Sequence, residues 1–105
     1  MSFRVRLTRA AQDDLERLFD FVLERELAPE GGDLALAEQA LDAIRAGLAT
    51  LRASPFTCRK AGSSPFLREL IVPFGHGGYV ALFEIDDPAT VSILALRHQR
   101  EDDYH

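Results

Sequence analysis

The residues best suited to chemistry crowd the end of the chain. Directly after the apolar run Val91-Ser92-Ile93-Leu94-Ala95-Leu96 stands Arg97-His98-Gln99-Arg100-Glu101-Asp102-Asp103-Tyr104-His105, with two arginines, two histidines, three acids and a tyrosine in nine residues. A histidine there can exchange protons near neutrality, and the arginines can make planar, bidentate contacts with carboxylate or phosphate. His98, Asp102, Asp103 and His105 carry donor atoms for a cation, but no cysteine-containing or helical spacing supports a metal site, and none is expected. The plainest alternative is surface pairing of Arg97 and Arg100 with Glu101, Asp102 or Asp103, worth ~0–1 kcal/mol per exposed pair. Tyr104 can pack its ring and anchor the tail.

Two other groups invite a chemical reading and lose it on inspection. Cys58 stands beside Arg59 and Lys60, which could depress its thiol pKa, but no base partner is identifiable and an unreactive thiol is expected. Gly75-His76-Gly77-Gly78 resembles a phosphate-binding loop in composition, yet no helix is predicted after it, so it reads as a hairpin loop with His76 at its tip.

The elements that must hold these residues follow from periodicity. Residues 2–7, SFRVRL, alternate in the period of a strand, with Phe3, Val5 and Leu7 on one face and Arg4 and Arg6 on the other. Thr8 then caps a helix in which Ala11, Leu15, Leu18, Phe19 and Val22 form the inner face, running to about Arg25. Asp13, Asp14 and Glu16 lie near its start, where the helix dipole favours acids. The acidic helix faces, including Asp13, Asp14, Glu24 and Glu26, read as solvated surface, with a basic partner segment as the sharper alternative. Pro29-Glu30-Gly31-Gly32 breaks the helix and Asp33 caps a second one, with Leu34, Ala37, Leu41, Ile44, Leu48 and Leu51 inward. Ser54-Pro55 ends it, because proline donates no hydrogen bond and disfavours helical geometry before it.

An ordered loop is predicted from Phe56 to Pro65, then three strands, Phe66–Val72, Tyr79–Ile85 and Val91–Arg97, joined by turn compositions into an antiparallel meander. The expected fold is α+β: a two-helix hairpin packed on an antiparallel sheet in the order β-α-α-β-β-β, with strand one as an edge or neighbour. Simple alternation puts Val91, Ile93 and Ala95 on one face of the last strand and Leu94 and Leu96 on the other. Both faces are therefore apolar, and the helices cover one. Either the 54–65 loop and the C-terminal tail cover the second, or a partner segment lies across the sheet or along its edge.

The whole chain sets the bounds. Its 105 residues, 47% hydrophobic, fit one domain spanning 1–105. Twelve basic residues against 17 acids give a net charge of −5, which disfavours generic binding to phosphate backbones. Lys60 is the only lysine. One cysteine cannot form an internal disulfide, so a reducing compartment is expected. The start, MSFRVRLTRA, has no signal-peptide run and no segment reaches ~18–20 apolar residues, so the expectation is a cytoplasmic protein without membrane attachment.

Taken in order, "LTRAAQDDLERLFDFV", "LATLRASPF", "LRELIVPFGHGGYVALFEID" and "VSILALRHQREDDYH" resemble the RelE/ParE superfamily of bacterial type II toxins. The resemblance spans nearly the whole chain and rests on an ordered set of weak motifs. It implies two helices on an antiparallel sheet, no cofactor, and neutralisation by a separately encoded antitoxin, ParD-like, in a hetero-oligomer. It also implies one of two activities. RelE-like members cleave messenger RNA in the ribosome; ParE-like members poison DNA gyrase. By position, Arg68 matches the arginine of the family's second strand, His98 and Arg100 the basic positions after the last strand, and Tyr104 the terminal aromatic of the nuclease branch. RNA cleavage needs a base, an acid and a cation on the phosphate. His98 could serve as base or acid, Arg68 or Arg97 as the clamp, and Tyr104 as a stacking platform or weak acid. Glu69, Glu101, Asp102 and Asp103 stand among them and repel RNA. The balance favours the ParE-like branch, with Arg97 and Arg100 as target- or partner-binding residues.

Overall fold

A computed structural model describes residues 2–26, 34–75 and 77–100. The expected cap at Asp33, the loop tip at His76 and the tail residues Glu101 to His105, Tyr104 included, lie outside them. The elements are β1 (Arg4–Leu7), α1 (Arg9–Glu26), α2 (Leu34–Thr50), a 3-10 turn (Pro55–Thr57), β2 (Arg59–Lys60), β3 (Leu67–Phe74), β4 (Gly77–Asp87) and β5 (Thr90–His98). They form an α+β fold in the expected order, with a two-residue strand, β2, inside the segment expected to be loop.

The sheet runs β1-β5-β4-β3-β2. β3, β4 and β5 are the antiparallel meander, and β2 pairs antiparallel with β3. β1 is an edge strand and joins β5 in parallel, Val5 opposite Val91 and Leu7 opposite Ile93. A parallel neighbour is allowed because the chain between them crosses through both helices and the meander rather than a tight turn.

The register fixes the faces. Leu70 and Val72 on β3, Tyr79, Ala81, Phe83 and Ile85 on β4, and Val5 and Leu7 on β1 point to the helices. On β5 simple alternation fails. Phe83 pairs with Ile93 while Leu82 pairs with Ala95, so Leu94 is the extra residue of a β-bulge. Leu96 consequently rejoins Val91 and Ile93 on the helix face, and Ala95 turns to the opposite face with Leu82 and Val80. This corrects the grouping expected from period two, because the bulge flips every side chain beyond it.

Against the helix face pack Ala11 and Leu18 of α1 and Ala40, Ile44 and Leu48 of α2, with Leu51 just beyond its end. Leu34, expected inward, is half-exposed at the start of α2, and Ala40 takes an inner position instead. At Gly47 the helix lies so close to β3 that a Cβ would sit 2.8 Å from Val72 Cγ2. Gly78, at φ +156, enters β4 where a Cβ would collide with the Val72 carbonyl.

Thr8 is the cap of α1: its Oγ1 accepts from the Ala11 N–H at 3.2 Å. No acid occupies the first turn of α1, since the helix begins at Arg9 and the acids start one turn later. The dipole effect fades within that first turn, so it is not what places Asp13, Asp14 and Glu16.

Candidate functional site

The end of β5 arranges Arg97, His98 and Arg100 by backbone geometry. Arg97 stands on the face that the helices leave open, opposite Val80. Its Nη1 donates to the carbonyls of His98 (3.2 Å) and Gln99 (3.4 Å), and its Nη2 lies 4.0 Å from Glu69 Oε2. Glu69 also accepts from Arg59, Nε at 3.0 Å with Nη2 likewise 3.0 Å away. Glu69 thus lies between two arginines, and the row Arg59-Glu69-Arg97 runs across the open face. Val80 and Ala95 are buried on that same face. The long stems of such side chains can cover them while keeping charge near water. Ile71 remains 36% exposed beside them.

His98 points to the helix face. Its ring meets Tyr79 edge-on, centroids 5.6 Å apart and planes at 87°, and its Nδ1 accepts from the Arg100 N–H at 3.1 Å. A nitrogen that accepts is unprotonated, so the neutral ring carries its proton on Nε2. That edge lies against Gly77, where an added Cβ would stand 3.3 Å from Nε2.

Arg68 is held elsewhere. Its Nε donates to the Pro65 carbonyl (2.7 Å), its Nη1 to those of Phe56 (3.1 Å) and Cys58 (2.6 Å), and its guanidinium carbon lies 5.3 Å from the Phe56 ring centroid. These contacts fasten the 55–65 segment to β3. Arg68 pairs with Phe83 and His98 with Tyr79, four residues apart along β4 and on its two flanking strands. Strand geometry then separates them by roughly 16 Å. The fold brings Arg97, His98 and Arg100 together and leaves Arg68 apart, while Tyr104 lies outside the described residues. Among the described residues no group of three His, Cys, Asp or Glu could hold a metal ion.

Residues 5–103 match the sequence pattern of a family described as the ParE toxin of the type II toxin-antitoxin system, parDE. The chain belongs to the ParE toxin family. Its fold is similar to a solved structure, "Chromosomal ParDE TA system from P. aeruginosa", at 19% identity and a TM-score of 0.67, over 96% of this chain and 98% of that one. No curated protein matches the chain.

Two features of the toxin escape a reading of its sequence. Asp14, expected as solvated surface, is buried, and its Oδ2 accepts from the Leu96 N–H at 3.0 Å. β1 pairs only as far as Ile93, so the edge of β5 beyond it needs other partners. Asp14 is one, and Thr8 is another: its Oγ1 donates to the Ile93 carbonyl at 2.9 Å and its N–H to the same oxygen at 3.0 Å. A signal was available, since Asp14 falls three residues after Ala11 and four before Leu18, on the apolar face. The second feature is a chain of edge-to-face phenylalanines from three separate segments, Phe3 to Phe56 (6.5 Å) and Phe56 to Phe66 (6.3 Å). Only the fold unites them.

Cys58, two residues after Phe56, is partly buried against the core. Burial raises its thiol pKa above the usual 9.0, opposed in part by the Arg68 charge. The flanking Arg59 and Lys60 do not make it a reactive thiolate.

Proposed function

We infer that the toxin acts by binding DNA gyrase and arresting it, and that a ParD-like antitoxin holds it inactive in the cytoplasm as a hetero-oligomer. The observation that carries this reading is the engagement of Arg68. A phosphate clamp must turn its donors toward the ligand; Arg68 spends three on backbone carbonyls, about 16 Å from the only described histidine near the strand ends. The charge balance supports the same reading, since a net charge of −5 disfavours approach to ribosomal RNA. Arg97 and Arg100 then serve as protein-contact residues rather than catalytic ones.

Purified toxin is expected to abolish gyrase supercoiling in a dose-dependent way and to leave messenger RNA on translating ribosomes uncut. His98→Ala is expected to retain inhibition, and Arg68→Lys to lose thermal stability before it loses inhibition. Supercoiling untouched at saturating toxin would sink the gyrase reading. Messenger RNA cleavage that disappears in His98→Ala would replace it with the ribosome-dependent nuclease, with Arg68, His98 and Tyr104 as its site.

A further inference from the structure

At the end of the sheet where α2 finishes, the segment that leads into β3 is basic. Residues 52–68 contain Arg52, Arg59, Lys60 and Arg68 and no acid; Arg59 is paired with Glu69, and Glu84 on β4 stands opposite Leu67, which leaves Arg52 and Lys60 as the exposed charges of the segment. The same pole exposes two phenylalanines: Phe56 and Phe66 are each 49% accessible, edge-to-face at 6.3 Å. Arg52 and Lys60 are exposed around them. The pole is well supported, because Arg68 ties the segment to β3 and Phe3 braces Phe56 from below. Large apolar rings held rigidly in the open, inside a ring of charge, are the composition of an interface anchor with its rim.

We propose that this pole is the surface by which the toxin grips its target, and that the matching surface is an acidic protein face with an apolar recess for Phe56 and Phe66. The proposal rests on the reading of the chain as a toxin that acts by binding a protein. Two observations select a protein over a nucleic acid. Stacking a base requires an open ring face, but Arg68 lies over the ring of Phe56 and the two rings meet edge to face. The rest of the molecule is acidic and repels a polyanion, whereas an acidic protein patch can face the pole alone.

The test compares Phe66→Ser and the pair Arg52→Glu with Lys60→Glu against wild type and against Phe21→Ser, which removes an exposed phenylalanine, 61% accessible, from α1. These positions avoid Phe56 and Arg68, whose loss would loosen the segment itself. Growth arrest on controlled expression and gyrase supercoiling by purified toxin are measured, with thermal melting to confirm folding. Pole variants are expected to melt within a few degrees of wild type, to need at least ~10-fold more protein for inhibition, and to lose growth arrest; Phe21→Ser should match wild type. Folded pole variants as toxic as wild type would overturn the proposal. So would submicromolar binding of a single-stranded DNA 20-mer that Phe66→Ser removes, or self-association in light scattering that the same variant removes. If wild-type toxin arrests growth without touching supercoiling, the gyrase reading fails, and the growth-arrest comparison still decides the surface.

Discussion

Asp14 shows how a single side chain can be hidden from sequence reasoning by its own charge. An acid on a helix is assigned to solvent because burying it unpaired is costly, and neighbouring Asp13, 65% exposed and 3.7 Å from Arg9, obeys that rule. Asp14 does not, because the fold offers it an N–H that no strand can satisfy. Its carboxylate meets Leu96 at 3.0 Å, with the Arg17 guanidinium 4.0 Å from its other oxygen. Asp14→Ala leaves that buried N–H without its acceptor and is expected to cost about 1–3 kcal/mol. Asp14→Asn keeps an acceptor oxygen and should cost clearly less. Urea unfolding of the two variants against wild type checks the ordering; equal losses would mean that charge, not acceptance, is what the site requires. Arg68 carries the opposite lesson. Its motif position was legible in "LREL", but not its occupation, since the Pro65, Phe56 and Cys58 carbonyls come to it only through the loop that precedes β3.

Among the elements, those with a strong local pattern were legible: the alternation of β1, the inner stripe and Thr8 cap of α1, the proline stop after α2, and the three meander strands. β2 was not, because two residues carry no period. The bulge on β5 was not, because Val91 to Leu96 is apolar at five of six positions, and a continuous apolar run looks the same whichever face each residue takes. The slip is visible only against β4, where Leu82 and Phe83 pair with Ala95 and Ile93. Thr8 connects these two kinds of element. It caps α1 through the Ala11 N–H and at the same time donates to the Ile93 carbonyl just before the bulge. Thr8→Ala removes both bonds and is expected to destabilise by about 1–2 kcal/mol, the upper range for a lost cap. Thr8→Ser should recover most of that. Native-state hydrogen exchange provides the sharper readout: the first turn of α1 and the edge of β5 should open together in Thr8→Ala, whereas a cap acting alone would release only the helix.

At the scale of the whole molecule, charge and burial combine to limit the toxin in alkaline solution. Two groups that are neutral when protonated have raised pKa values in the folded state. Cys58 is shifted up from 9.0 by burial, with Arg68 opposing, and Tyr79 from 10.0 by burial, with Arg25 opposing. Below its ordinary pKa each group is protonated whether the chain is folded or not, and the stability that goes with the neutral form is fully present. As pH rises past that value, the unfolded chain releases the proton while the folded chain keeps it. Fewer protons on the unfolded state mean that stability falls with pH. The decline should begin near pH 9 with Cys58, steepen near pH 10 as Tyr79 adds to it, and level off only once the pH passes the folded values. Melting temperatures from pH 7 to 11 check the shape. Cys58→Ala should remove the part that begins near 9.0 and leave the part that begins near 10.0. Tyr79→Phe should do the reverse, provided that its edge contact with His98 survives, since the ring that makes it is retained. A melting temperature that is flat to pH 11, or one that rises, would show that neither group is more deeply protonated in the fold than in the open chain.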